Sequence, residues 1–195
     1  MRLILASQSP SRASILRGAG VEPVLEPADI DERSLEASLA DHPPADIVAA
    51  LATAKAEKVA ERYPTEPVIG GDSMLLLGGE LQGKPHTEEA TIERWHQQAG
   101  RTAELLTGHC VIFGNKRHVE TSTTTVHFAQ ASEADIAAYA HSGEPLQCAG
   151  AFTLEAMGGW FIDHIEGDPS SVIGLSLPVV RRALYAFDLN VSDFW

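Results

Sequence analysis

Apolar and polar positions repeat with two periods along this chain, and the alternation of those periods predicts an α/β fold. Leu3-Ile4-Leu5-Ala6 reads as a buried strand, and the helical spacing of Ile15 and Leu16 predicts a short helix from Ser11 to Gly18, stopped by Gly18 and Gly20. Val21 to Glu26, between Pro23 and Pro27, reads as a second strand that delivers the acidic run Asp29-Ile30-Asp31-Glu32 into a loop. From Asp46 to Tyr63 the pattern is strongly helical, with Val48, Leu51 and Val59 on one stripe. Val68 to Leu77 is the most apolar segment and predicts a central strand.

The second half continues the mixture. After the Gly78-Gly79 turn, Thr87 can cap a helix running to Gln98. Thr102 to Phe113 and His118 to Phe128 read as two long strands joined at Gly114-Asn115. Ser132 opens a helix to His141, Ala151 to Glu155 and Trp160 to Glu166 are short strands, Gly167 to Ser171 is a donor-rich loop, and the last helix spans Pro178 to Phe187.

Two polar groups interrupt this pattern where they cost most. Asp72 lies inside the apolar Val68–Leu77 run, where an unpaired carboxylate would cost several kcal/mol, so it must meet a metal, a cation or a donor. Gly70 and Gly71 beside it imply that something approaches the backbone closely. Lys55 falls on the apolar stripe of the long helix, four residues from Leu51 and from Val59; either its stem snorkels to solvent or its ammonium serves a ligand. Between the first strand and helix, Ser7, Ser9, Ser11 and Arg12 gather hydroxyls and a guanidinium at a helix start. That is the build of a phosphate cradle, although Ser9 and Pro10 can equally be a plain helix cap.

Composition narrows the chemistry. At 195 residues and 44% hydrophobic, with no apolar run of the roughly 18 residues a membrane helix needs, the chain reads as one soluble domain over residues 1–195, divisible into two lobes. The apolar run after Met1-Arg2 is too short for a signal peptide, and the two cysteines, Cys110 and Cys148, form no disulfide framework, so a cytoplasmic location fits. A formal net charge of −13 argues against a nucleic-acid or membrane partner and leaves a small anion bound where cations converge. Eight histidines are present, none at zinc-ligand spacing, and no P-loop, nucleophile elbow or dinucleotide fingerprint occurs. What remains is a set suited to hydrolysing a phosphoanhydride: Ser7, Ser9, Arg12, Lys55 and Lys84 for phosphates, Glu32 and Asp72 for a hard divalent metal such as Mg2+ or Mn2+, and a carboxylate to take a proton from water.

These residues carry a resemblance. Leu5-Ala6-Ser7-Gln8-Ser9-Pro10-Ser11-Arg12, Asp31-Glu32, Lys55-Ala56, Gly70-Gly71-Asp72 and Gly83-Lys84-Pro85 match, in order, the motifs of the Maf family of nucleoside triphosphate pyrophosphatases. The resemblance implies a mixed, extended sheet with flanking helices around a deep central cleft, often as a homodimer, with Asp72 as proton acceptor in a reaction that releases pyrophosphate. Cys148-Ala149-Gly150 and Glu155 look like the branch acting on 7-methyl-GTP, whereas the dTTP/UTP branch has Lys-Ala-Gly and a Gln. A carboxylate at Glu155 accepts only, which suits the N1–H and 2-amino donors of guanine; its alternative is a solvated strand-end residue. Ser11, Ser73 and Ser176 depart from the family pattern: Ser11 stands where an aromatic ring occurs in part of that branch, Ser73 where Gln or Thr is usual, and Ser176 where the Gly-Leu-Pro motif has its proline. A dTTP/UTP enzyme and a non-catalytic nucleotide-binding regulator of cell division are the alternatives.

Overall fold

The computed structural model describes residues 1–195. In chain order the elements are β1 (Ile4–Leu5), α1 (Pro10–Gly18), β2 (Val24–Leu25), α2 (Glu32–Ser38), α3 (Pro44–Ala60), β3 (Val68–Leu77), β4 (Glu80–Gln82), α4 (Glu88–Gln98), β5 (Thr102–Phe113), β6 (Lys116–Phe128), α5 (Glu133–His141), β7 (Ile162–Glu166), α6 (Pro169–Ile173) and α7 (Leu177–Ala186). The strands form a seven-stranded sheet in the order β2-β1-β3-β5-β6-β7, with β4 on β3. It is mixed: β1 runs parallel to β2 and β3, while β4 on β3 and β7 on β6 are antiparallel. No helix is long and apolar enough to cross a membrane.

The chain divides into two compact units, each discontinuous in sequence, and β3, β5 and β6 contribute residues to both. The first comprises Met1–Asp72, Thr107–Ser122 and Gly174–Trp195. Its core packs Leu3, Leu5, Leu16, Ile69 and Val111 against Leu175, Val180, Leu184 and Phe187 of the α7 region. The second comprises Ser73–Leu106 and Thr123–Ile173. There the fully buried Trp95 meets Phe128, Tyr139 and Phe161 edge-on at 5.5–5.7 Å, and its indole N–H donates to the Ala151 carbonyl at 2.8 Å.

Capping chemistry sets most helix starts. Ser9, Asp31, Thr87, Ser132 and Ser176 each accept a backbone N–H from the first turn of α1, α2, α4, α5 and α7. The acidic run expected as loop therefore ends in a helix, because Asp31 caps α2 by accepting from Ser34 N at 3.0 Å and Glu32 opens it. Gly167 to Ser171, expected as loop, contains the start of α6.

The strand expected over Ala151 to Glu155 does not form. Side chains take the hydrogen bonds a ladder would have used. The Glu144 carboxylate accepts from Met157 N at 3.2 Å and Gly158 N at 3.1 Å, and Tyr139 Oη accepts from Thr153 N at 3.2 Å. Residues 152–155 are irregular between two short 3₁₀ turns, Ala149–Ala151 and Met157–Phe161, and β7 starts only at Ile162.

Candidate active site

The first unit's polar centre is built on the end of β1, the start of α1, α2, α3 and β3. Of the two readings of Lys55, snorkelling to solvent is not the one found: this residue is buried on α3 among Leu51, Ala52, Ala56 and Val59. Its ammonium lies 2.7 Å from Asp72 Oδ1 and 2.7 Å from Glu32 Oε2. Lys55 thus bridges two carboxylates, one buried in β3 and one exposed at the start of α2. Such a pair is held against its desolvation cost only because the geometry is close and both partners are charged.

Why Asp72 tolerates burial follows from what surrounds it. Oδ1 is taken by Lys55, while Oδ2 is buried and has no hydrogen-bond partner. A buried carboxylate oxygen without a donor is costly unless a ligand, water or cation uses it. The two glycines before it make the packing possible. A Cβ on Gly70 would stand 2.1 Å from the Ala52 carbonyl oxygen and 2.7 Å from Ala56 N, so only glycine lets α3 approach β3 closely enough for Lys55 to reach Asp72. A Cβ on Gly71 would lie 3.2 Å from Arg12 Nε.

Arg12 is held in place rather than left in solvent. Its Nε donates to the Gly174 carbonyl at 2.7 Å and Nη1 donates to Ser7 Oγ at 3.2 Å. Burial pulls its pKa below the ordinary guanidinium value, opposed by the charges of Asp72 and Glu32, and a guanidinium stays protonated regardless. Ser7 Oγ also accepts from Ser9 N at 3.1 Å, and Ser9 Oγ accepts from Arg12 N at 3.4 Å. Ser9 therefore caps α1, and the same turn seats Arg12. Ser11 is half-buried in the first turn of α1.

One residue that sequence reasoning did not single out supports this centre. His109 is fully buried; its Nδ1 lies 3.3 Å from the Glu120 carbonyl, and Nε2 accepts from Ser176 N at 2.8 Å. The Ser176 N–H is what a proline there could not supply, so the departure from Gly-Leu-Pro is compensated by a histidine that anchors the Gly174–Ser176 segment. That segment in turn presents the carbonyl that holds Arg12. No spacing signal links positions 109, 174 and 12.

Ser73, Lys84 and Glu155 belong to the second unit. Ser73 is half-buried in β3. Lys84 is exposed in a loop fixed by its neighbours: the Gly83 carbonyl accepts from Gly150 N at 3.2 Å and from the Arg94 guanidinium, and His86 N donates to the Leu146 carbonyl at 2.9 Å. Arg94 is the other residue the sequence did not reveal, a cation whose pKa burial lowers against the charge of Glu93. Glu155 is exposed and its Oε2 accepts from Leu154 N at 3.1 Å. Burial, with the charges of Glu155 and Glu144, pushes the Cys148 thiol up to about 11, while Lys84 pulls it down, so Lys84 and Glu155 act on the same side chain.

Two cations and two carboxylates balance in the first unit's centre, and a polyphosphate would add more negative charge than Arg12 and Lys55 offset. A divalent cation fits that need. Glu32 and Asp72 supply the hard oxygen ligands it prefers, and the unpartnered Asp72 Oδ2 is the atom that fits it best.

A family model described as "Maf-like protein" matches residues 2–187. A protein of Corynebacterium aurimucosum called "Nucleoside triphosphate pyrophosphatase" is 75% identical over 195 residues, covering 100% of this chain and 98% of its own length. Proteins of the same description from Corynebacterium diphtheriae and Nocardia farcinica are 72% and 52% identical, over 100% and 99% of this chain and 98% and 96% of their own lengths.

Proposed function

The chain belongs to the Maf-like family, and we propose that it is a nucleoside triphosphate pyrophosphatase whose substrate is a modified guanine nucleotide, 7-methyl-GTP. The observation that carries the activity is the Lys55 bridge between Glu32 and Asp72 with Asp72 Oδ2 left unpartnered. Lys55 fixes the rotation of the Asp72 carboxylate through Oδ1, and the carboxylate so oriented takes the proton of the attacking water. Arg12, with Ser7 and Ser9 at the start of α1, neutralises phosphate oxygens, and Lys84 adds a further cation. A divalent cation, Mg2+ or Mn2+, held by Glu32 and Asp72, supplies the remaining positive charge at the phosphates when bound. Water attack then releases pyrophosphate and leaves the monophosphate, the Asp72 carboxylate holding the proton.

The base preference rests on Glu155 and on Cys148-Ala149-Gly150. A carboxylate accepts from both guanine donors, whereas a glutamine offers one donor and one acceptor and suits a pyrimidine imide. Ser11 leaves no aromatic platform, so hydrogen bonding rather than stacking carries the selectivity. In the same reading the enzyme clears non-standard nucleotides in the cytoplasm and works as a homodimer on a free nucleotide. The net charge of −13 supports a small ligand over a nucleic acid or a membrane.

A panel of 7-methyl-GTP, GTP, dTTP and UTP with Mg2+ or Mn2+ tests this. The expected result is a preference for the guanine nucleotides that Glu155→Gln reduces about tenfold or more in kcat/KM, the scale of one charge-assisted hydrogen bond. Turnover of dTTP and UTP alone would refute the base assignment.

A further inference from the structure

The second unit carries a cluster that no sequence spacing reveals. In the antiparallel β6–β7 register His127 faces His164, and Glu166 lies two residues further along β7, on the same face as His164. The two imidazole rings stack with centroids 3.8 Å apart. His127 Nε2 is 2.8 Å and His164 Nε2 3.8 Å from Glu166 Oε1. One ligand atom from each of the three residues falls within 4.8 Å of the other two. The histidine spacing along the chain argued against a zinc site; the register supplies across two strands what the spacing lacks along one.

We propose that His127, His164 and Glu166 form a surface site for one transition-metal ion of the Zn2+ class, distinct in chemistry from the divalent site at Glu32 and Asp72. Bonds of about 2.0–2.1 Å place tetrahedral ligand atoms about 3.4 Å apart, between the two separations from Glu166, and the two rings must turn out of their stack for both Nε2 lone pairs to meet one ion. Two imidazoles and one carboxylate select Zn2+, Cu2+ or Ni2+ over Mg2+, which prefers oxygen and water. The remaining position is open to water, since His164 and Glu166 are exposed. Outside the ligands, Thr102 Oγ1 lies 3.1 Å from His127 Nδ1. A hydroxyl both donates and accepts, so it orients the ring with either nitrogen protonated and lets Nε2 become the ligand atom.

The position gives the site a consequence. β7 ends the sheet order and β6 is its neighbour there. A metal coordinated from both strands ties the edge strand to its partner, and stability then rises with metal concentration by mass action.

The test is calorimetric titration of the metal-stripped full-length protein with Zn2+ in saturating Mg2+, with thermal melts and histidine-ring NMR on the same samples. One Zn2+ per chain should be lost in His164→Ala and in Glu166→Gln, by more than the roughly 10–100-fold that removing an outer partner such as Thr102 costs. Zn2+ should raise the melting temperature of the wild type and not of these variants, and should shift the ring signals of His127 and His164. These side chains are partly exposed on an edge pair, so the variants should melt like the metal-free wild type. Zn2+ binding of unchanged stoichiometry and affinity in both variants, or no Zn2+ binding by the wild type, would overturn the proposal.

Discussion

Lys55 Nζ and Asp72 Oδ1 lie 2.7 Å apart, both buried, one on α3 and the other in β3. Removing Lys55 leaves the Asp72 carboxylate buried without the ammonium that holds it. Lys55→Met should lower stability by about 3–5 kcal/mol in denaturant unfolding and abolish turnover, whereas Lys55→Met/Asp72→Asn should recover much of the stability and none of the activity. A double variant no more stable than Lys55→Met would show that the two side chains are not coupled.

Gly70 sets the distance between the elements that carry that pair. A methyl group there meets backbone atoms of Ala52 and Ala56, which cannot move aside as a flexible side chain would. Gly70→Ala should cost at least the about 1–3 kcal/mol typical of overpacking and depress the melting temperature, with the Lys55–Asp72 contact loosened. An unaltered melt would mean that α3 does not need this approach.

Glu144 governs the segment that leads to Glu155. Its burial raises the carboxyl pKa, but hydrogen bonds from Thr153, Gly158, Met157 and Tyr139 outweigh that, and the net pKa lies below the ordinary 4.5. A depressed carboxyl contributes stability that is present above the unfolded value and is lost as pH falls through the folded one. The melting-temperature gap between wild type and Glu144→Gln should therefore be full near neutrality and close as pH drops below about 4.5. A gap constant down to the most acidic samples would contradict this role.

Much of the frame was legible in the chain. The Val68–Leu77 run is β3 to the residue, the stripe around Leu51 and Val59 is α3, and the capping residues Thr87 and Ser132 start their helices. Asp72 announced itself because an apolar strand makes a carboxylate conspicuous. What escaped reading depends on which surface faces which. Periodicity put Lys55 on the apolar stripe but could not say that two carboxylates lie opposite it. It showed that something pressed on Gly70 and Gly71 without showing that the visitors are α3 and Arg12. The false strand at Ala151 to Glu155 has the same origin, since its apolar residues look right and the acceptor that takes Thr153 N, the Tyr139 hydroxyl, is distant in pattern though close in space. The His127–His164 pair and the His109–Ser176 bond exist only through strand register and tertiary packing.

The central claim is that Asp72, positioned by Lys55, accepts the proton of a water that cleaves pyrophosphate from a nucleoside triphosphate. The most direct measurement separates the phosphorus products formed from 7-methyl-GTP and from GTP by the wild type and by Asp72→Asn, with folding of the variant checked by its melt. The account predicts monophosphate and pyrophosphate in equal amounts from the wild type, and turnover lower by about 10²–10⁴ in a folded Asp72→Asn protein. Orthophosphate and diphosphate as products, or full turnover by Asp72→Asn, would contradict it.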